Sequence, residues 1–189
     1  MLKPIQDFIR PHWHRLRTPR PKRCVSETSK CRARLAPFCR GEGVDLGFGG
    51  DPITRDAIRV DLPNQYGAVG DWAAQLRGSA DHLHWFRDGT LDYIFSSHLL
   101  EDFQDTEAVL REWWRVLKPG GKLIIFCPDE QVYRTHCRKT GQYYNQHHVH
   151  ADFSLAKVRR HLEQIGPHRV LHEIPLVDIY SWDLVVEKS

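Results

Sequence analysis

The stretch Gly43-Val44-Asp45-Leu46-Gly47-Phe48-Gly49-Gly50-Asp51-Pro52-Ile53 decides the fold. A short apolar run, Val44 to Leu46, ends directly in a turn with three glycines, as a buried strand does when its backbone must turn tightly and pass close to a ligand. Alone, such a turn is also an ordinary tight turn. Its neighbour gives it meaning. The next apolar run, Ile58 to Asp61, ends in an acid, and a carboxylate placed there can accept both hydroxyls of a ribose. Turn and acid together point to an adenosine-containing cofactor. A dinucleotide site would seat its pyrophosphate on a full helix after the turn, and only eleven residues separate Leu46 from Ile58. There is no GxxxxGK[ST] phosphate loop either, so a cofactor without phosphates fits better.

Outward from this stretch, strand candidates alternate with connections, the pattern of a parallel sheet covered by helices. Gln75 to Ala80, Leu91 to Ser96 and Lys122 to Cys127 are expected as the third to fifth strands. Asp105 caps a helix carrying Val109, Leu110, Trp113, Val116 and Leu117 at helical spacing, which Lys118-Pro119-Gly120-Gly121 ends. Ser154 caps another, with Leu155, Val158, Leu162 and Ile165 on one face and Gly166 as its stop. Two more strands are expected around Arg169–Ile174 and Tyr180–Glu187, and a short helix within Ser26–Phe38 leads into the domain. The 26 residues from Pro128 to Phe153 show no obvious element and read as a functional loop or lid. The expected fold is α/β: a Rossmann-like, doubly wound, mostly parallel sheet of about seven strands with reduced first crossover helices.

A chain of 189 residues suits one domain, expected over 26–189, with a basic leader over 1–25. The net charge of +3 is uneven, because residues 1–40 carry +9 and the rest −6. A basic arm can follow nucleic-acid phosphates or simply stay solvated. No apolar stretch approaches a membrane span and no secretory signal is visible, so a cytoplasmic location is expected. Five cysteines without a CxxC pair indicate neither a disulfide framework nor a zinc ribbon.

The ordered blocks resemble those of the class I methyltransferases, in particular the small methyltransferase-domain family. GVDLGFGGDPI (43–53) resembles their first motif and IRVDLP (58–63) the acidic second. GSADHLHWFRDGTLDYIFSSHLLEDF (78–103) resembles GDAxxLPFxDxxFDxVxSxxxLEH, and REWWRVLKPGGKLIIFCPD (111–129) the helix, turn and fifth strand after it. The resemblance implies S-adenosyl-L-methionine as cofactor. It implies that Asp45, Gly47, Phe48, Gly49 and Gly50 surround its methionine part, that Asp61 binds the ribose, and that Ala80 and Asp81 lie beside the adenine. Ser96, Ser97 and His98 would face the sulfonium and the acceptor. This chain departs from the pattern at Asp51, where the family has a glycine, at Ser79, where an adenine-binding Asp is common, and at Asp102, which replaces the His of LEH.

Methyl transfer needs a base only when the acceptor must lose a proton. His98 is the first candidate, and the alternative is a hydrogen-bonded pocket histidine. His148 and His150, with Tyr144 and His147 in GQYYNQHHVHADF (141–153), form a second group that could cover or deprotonate the acceptor. His150-Ala151-Asp152 has the HxD form of an iron site, but the sheet pattern is not that of the iron oxygenases and no metal is expected. Ser96-Ser97-His98-Leu99 stands where amino-methyltransferases of adenine or glutamine usually show Asn/Asp-Pro-Pro-aromatic. A cytosine C5 enzyme needs a nucleophilic cysteine following the fourth strand, and the only nearby cysteine is Cys127, at the end of the fifth. An oxygen or nitrogen of a small molecule or sugar is therefore the expected acceptor. An RNA acceptor docked by the arm and a non-catalytic cofactor-binding partner protein are the alternatives. Oligomeric state is not legible.

Overall fold

The computed structural model describes residues 25–64 and 69–189. Apart from Val25, the basic leader lies outside the described residues, as does Cys24. Seven strands form one sheet in the order β3-β2-β1-β4-β5-β7-β6. They are β1 (Gly43–Leu46), β2 (Ile58–Asp61), β3 (Leu76–Arg77), β4 (Leu91–Ser97), β5 (Leu117–Pro128), β6 (His168–Val177) and β7 (Ser181–Lys188). All neighbours run parallel except β7, which is antiparallel to both β5 and β6. This is the expected Rossmann-like sheet of seven strands. The third strand is shorter than expected because only Val60 and Asp61 of β2 offer it partners.

One face is covered by α2 (Thr106–Val116) and α4 (Leu155–Ile165). Asp105 and Ser154 cap them as their sequences require, each side chain accepting from the third N–H beyond it. The buried stripe Val109, Leu110, Trp113 and Val116 of α2 meets Leu155, Val158 and Leu162 of α4 over the central strands.

The opposite face shows why the short crossovers are tolerated. Residues 47–57 form bends rather than a helix, and no helix joins β2 to β3 among the described residues. Ile53 and Ala57 plug part of the bare face against Tyr93 and Phe95. The rest is covered by α1 (Glu27–Leu35), which precedes the sheet in sequence and buries Cys31 and Leu35 in the same cluster. A helix from outside the crossovers thus takes the place a crossover helix would fill.

The 128–153 stretch is not the featureless loop its sequence suggests. It contains α3 (Glu130–Thr140), capped by Asp129, whose carboxylate accepts from Val132 N, and ended by Gly141 at φ 74°. Both signals are present in the sequence, but the helix buries only Glu130, Tyr133 and Cys137, too few apolar residues to give a periodic pattern. The remaining loop folds back, with Asn145 N–H donating to Tyr133 Oη at 2.8 Å and Val149 N–H to Glu101 O at 3.3 Å.

Candidate active site

In an open parallel sheet, the crevice lies at the carboxyl ends of strands where the order reverses, here between β1 and β4. A cavity of about 390 Å³ opens there. Gly47, Phe48 and Gly49 line it from the end of β1, and Val60 and Asp61 from the end of β2. Gly78, Ser79 and Ala80 come from the β3 exit, and Ser97, His98 and Leu99 from the end of β4. The far wall is built from α1, α3 and the late loops and includes Glu27, Tyr133, Asn145, His148 and Tyr180.

The turn is shaped to admit a ligand closely. Gly47 has φ 65°, and a Cβ there would stand 2.9 Å from a Leu99 methyl. Gly49 N–H donates to Asp61 Oδ2 at 3.1 Å, and Leu62 N–H donates to Oδ1 at 2.8 Å, so the acid is held against the turn. Ala80 is fixed from behind, its carbonyl accepting from Trp113 Nε1 at 2.7 Å. Asp45 is fully buried; Oδ2 accepts from Ile53 N at 2.6 Å, which anchors the shortened crossover, and Oδ1 has no hydrogen-bond partner. Burial raises its carboxyl well above the usual carboxylate range. Glycines without Cβ and an acid at the end of β2 fit the nucleoside and methionine parts of the expected cofactor, whereas Asp45, expected beside the methionine, lies outside the lining and holds the turn from beneath.

Not every expected residue reaches this cavity. Gly50 faces a neighbouring groove with Asp51 and Trp72, and its close partner is Gly70, whose carbonyl would meet a Cβ. Asp81 is exposed and outside the lining. Ser96 is buried with its hydroxyl unpartnered and also lies outside it, whereas Ser97 lines it with a similarly unpartnered hydroxyl. His150 is likewise outside, donating from Nε2 to Phe103 O at 2.8 Å. Asp152 pairs with Lys157 at 2.8 Å, so the HxD pair serves the loop.

His98 lines the cavity at the end of β4. Its backbone has φ 49°, a left-handed conformation that non-glycine residues adopt rarely and that clusters at functional sites. Its N–H donates to Phe126 O at 2.8 Å, and Nε2 lies 3.2 Å from Ser181 Oγ and 3.3 Å from Glu27 Oε2. Burial, and next the charges of Lys30 and His148, push its pKa well below the usual histidine value. At neutral pH the ring is uncharged and has a lone pair to offer. His148 differs: burial alone would lower its pKa, but the bond of Nδ1 to Glu130 Oε2 at 2.8 Å and the nearby Glu101 raise it. His148 is therefore protonated more readily than His98, and its Nδ1 is already engaged by Glu130.

Sequence alone does not single out Glu27, Glu101, Glu130, Tyr133, Tyr180 or Ser181. Each lies in an element identified loosely or not at all, or sits one residue from a motif position. Only Glu101, inside the LED triplet, carries a motif signal.

Sheet order, glycine turn and acid are those of the class I, Rossmann-like methyltransferase fold, and the cofactor of that class is S-adenosyl-L-methionine. Residues 44–125 match the family model described as a methyltransferase domain. The chain is 34% identical over 88 residues to the ubiquinone/menaquinone biosynthesis C-methyltransferase UbiE of Haemophilus ducreyi, a match over 43% of this chain and 31% of that protein. It is 50% identical over 40 residues to the demethylmenaquinone methyltransferase of Streptomyces griseus, over 21% of this chain and 17% of that one. The matches thus span less than a third of these curated relatives. Among solved structures, an S-adenosylmethionine-dependent methyltransferase of Archaeoglobus fulgidus superposes with a TM-score of 0.65 at 14% identity, covering 85% of this chain and 92% of that one. One from Thermotoga maritima gives 0.64 at 19% identity, covering 87% and 88%.

Proposed function

We propose that the protein transfers a methyl group from S-adenosyl-L-methionine to an oxygen or nitrogen of a small molecule or sugar, with His98 as the general base. The observation that carries this reading is an uncharged, partly buried imidazole at the end of β4, in the same cavity as the glycine turn and Asp61. When bound, the cofactor supplies a methyl carbon on a sulfonium, whose C–S bond breaks with both electrons left on sulfur.

The chain's own residues then have three tasks. Gly47, Phe48 and Gly49, with Asp61 and Ala80, hold the cofactor; Asp45 supports the turn from beneath. Tyr133, Tyr180, Leu99 and Phe103 form apolar walls that exclude water and orient the acceptor, which is where positioning contributes most of the rate. His98 accepts the proton that the acceptor loses as its lone pair forms the new bond to carbon.

A second reading is favoured by the curated relatives, one of which is named as a C-methyltransferase of quinone biosynthesis. The same base would then deprotonate a ring hydroxyl to activate the adjacent carbon. Incubation with methyl-labelled S-adenosylmethionine and a panel of hydroxyl, amine, sugar, quinol and RNA acceptors, with mass-spectrometric location of the label, separates them. Label on O or N of a small molecule supports the first reading, and label on a ring carbon replaces it with the second. Label on RNA only, or cofactor binding without transfer to any acceptor, overturns both.

A further inference from the structure

Glu101, in the 3-10 turn Leu100–Asp102 after β4, is fully buried and does not line the cavity. Its Oε2 accepts from Cys127 Sγ at 3.3 Å. Its Oε1 has no hydrogen-bond partner and lies between two rings, 3.7 Å from His98 Nδ1 and 3.6 Å from His148 Nε2. Both separations exceed a hydrogen bond by several tenths of an ångström, a gap that rotation of the carboxylate can close toward either ring. Beyond His148 the line continues: Nδ1 meets Glu130 Oε2 at 2.8 Å, and Glu130 Oε1 accepts from Arg134 Nε at 2.6 Å at the half-exposed face of α3. A buried carboxylate oxygen without a partner is costly, and among the described residues the two imidazoles are the basic side chains whose nitrogens lie within 4 Å of it.

We propose that Glu101 is the positioning residue of the methyl-transfer site, its carboxylate taking the N–H of His98 Nδ1 so that Nε2 faces the acceptor as the base, with His148 and Glu130 continuing a proton path to the surface. The proposal rests on His98 being the base. The protons balance: the acceptor's proton goes to His98 Nε2 and the Nδ1 proton moves to Glu101 Oε1; a neutral His148 with its proton on Nδ1 takes that proton at Nε2 and passes its own from Nδ1 to Glu130 and solvent, and His98 regains the Nδ1–H form by proton exchange once product leaves. The other groups facing His98 do not fill this role. Glu27 and Lys30 of α1 and Ser181 of β7 stand on the Nε2 side or pair with each other, and Phe126 and Tyr180 offer ring edges. Glu101 is pushed up to about 8, by burial first and next by Asp102, against the opposing pull of His148. The carboxylate form that orients His98 therefore gains population as pH rises through that value.

The test is the tautomer of His98 in the full-length protein labelled with 15N-histidine, followed by two-bond proton–nitrogen spectra from pH 6 to 9.5, with the His98 signals assigned by their loss in His98→Gln. The Nδ1–H tautomer should gain population near pH 8 in the wild type and show no such step in Glu101→Gln. A wild-type His98 that keeps Nε2–H throughout, or an identical titration in the variant, overturns the proposal. Should Glu101→Gln fail to fold by near-ultraviolet circular dichroism, the wild-type titration decides alone. Where an acceptor is in hand, kcat in Glu101→Gln should fall by roughly tenfold or more, a share of the 10² to 10⁴ that a positioned base supplies, with cofactor KM within about twofold. Absence of transfer in the wild type would sink the functional reading while leaving the tautomer result to stand or fall separately.

Discussion

The guanidinium of Arg32 on α1 lies 2.6 Å from the carboxylate of Asp51, at the position where the methyltransferase family carries a glycine. The hydroxyl of Ser26 donates to the same carboxylate, and Arg32 also reaches the carbonyl of Pro52 at 3.1 Å. A departure from the family motif is thereby the anchor for the helix that covers the bare sheet face. Burial opposes ionisation of Asp51, but the bonds from Arg32 and Ser26 outweigh it and hold its pKa below the usual value.

Replacing the two partners should therefore cost unequal amounts. The pair is about a third exposed on each side, so Arg32→Ala should lose only about 0.5–1 kcal/mol of stability after solvent screening. Ser26→Ala also removes the N-cap that accepts from Ser29 N at 3.0 Å, and should lose about 1–2 kcal/mol. Urea denaturation of both variants checks the ranking. A larger loss for Arg32→Ala would mean that the ion pair, not the cap, holds α1.

Asp61 should control cofactor affinity without controlling the fold. Its two oxygens already accept backbone bonds on the protein side and stand at the cavity lining. Hydrogen bonds to a charged acceptor contribute about 1.5–3 kcal/mol, so Asp61→Ala should weaken S-adenosylhomocysteine binding by about 10- to 100-fold. Calorimetry reads this directly. Unchanged affinity would remove Asp61 from the ribose site.

Much of this arrangement is legible in the sequence because it obeys local rules. The turn after β1, the acid ending β2 and the caps at Asp105 and Ser154 each sit next to the apolar run they terminate or begin. The far wall of the cavity is not legible, for the opposite reason. Glu27, Tyr133 and Tyr180 come from α1, α3 and the β6–β7 turn, far apart in sequence, and only the sheet order brings them to His98. His150 illustrates the converse. Two residues from His148, it turns to the Phe103 carbonyl while His148 turns to Glu130.

Asp45 gives a pH signature in stability. Burial raises its folded pKa well above the usual carboxylate range, so the folded state holds its proton more tightly than the unfolded chain. For a carboxyl raised in this way, the favourable contribution is complete below the unfolded value and is lost as pH climbs toward the folded one. Asp45→Asn carries no such charge and keeps an oxygen for Ile53 N. The variant should match the wild type near about pH 4, the unfolded carboxylate value, and become progressively more stable than it on going to neutral pH. Thermal melts across that range check the sign, and a variant that weakens with rising pH would show Asp45 ionised and satisfied in the fold.

Two glycines with the same backbone conformation separate strain from crowding. Gly47 and Gly89 have φ of 65° and 63°, so alanine at either position carries a left-handed penalty of about 1–2 kcal/mol. A Cβ at Gly89 meets nothing within 4 Å, whereas one at Gly47 stands 2.9 Å from a methyl of Leu99, inside the cavity lining. Gly89→Ala should therefore lower stability by that strain alone and leave S-adenosylhomocysteine affinity unchanged. Gly47→Ala should lose a similar amount or slightly more, since the Leu99 side chain can rotate, but should weaken binding by about tenfold or more, because the added methyl and the displaced leucine both occupy the ligand's approach. Parallel calorimetry and thermal denaturation give the two numbers for each variant. Equal affinities in the two variants would show that the close approach at Gly47 serves the turn and not the cofactor.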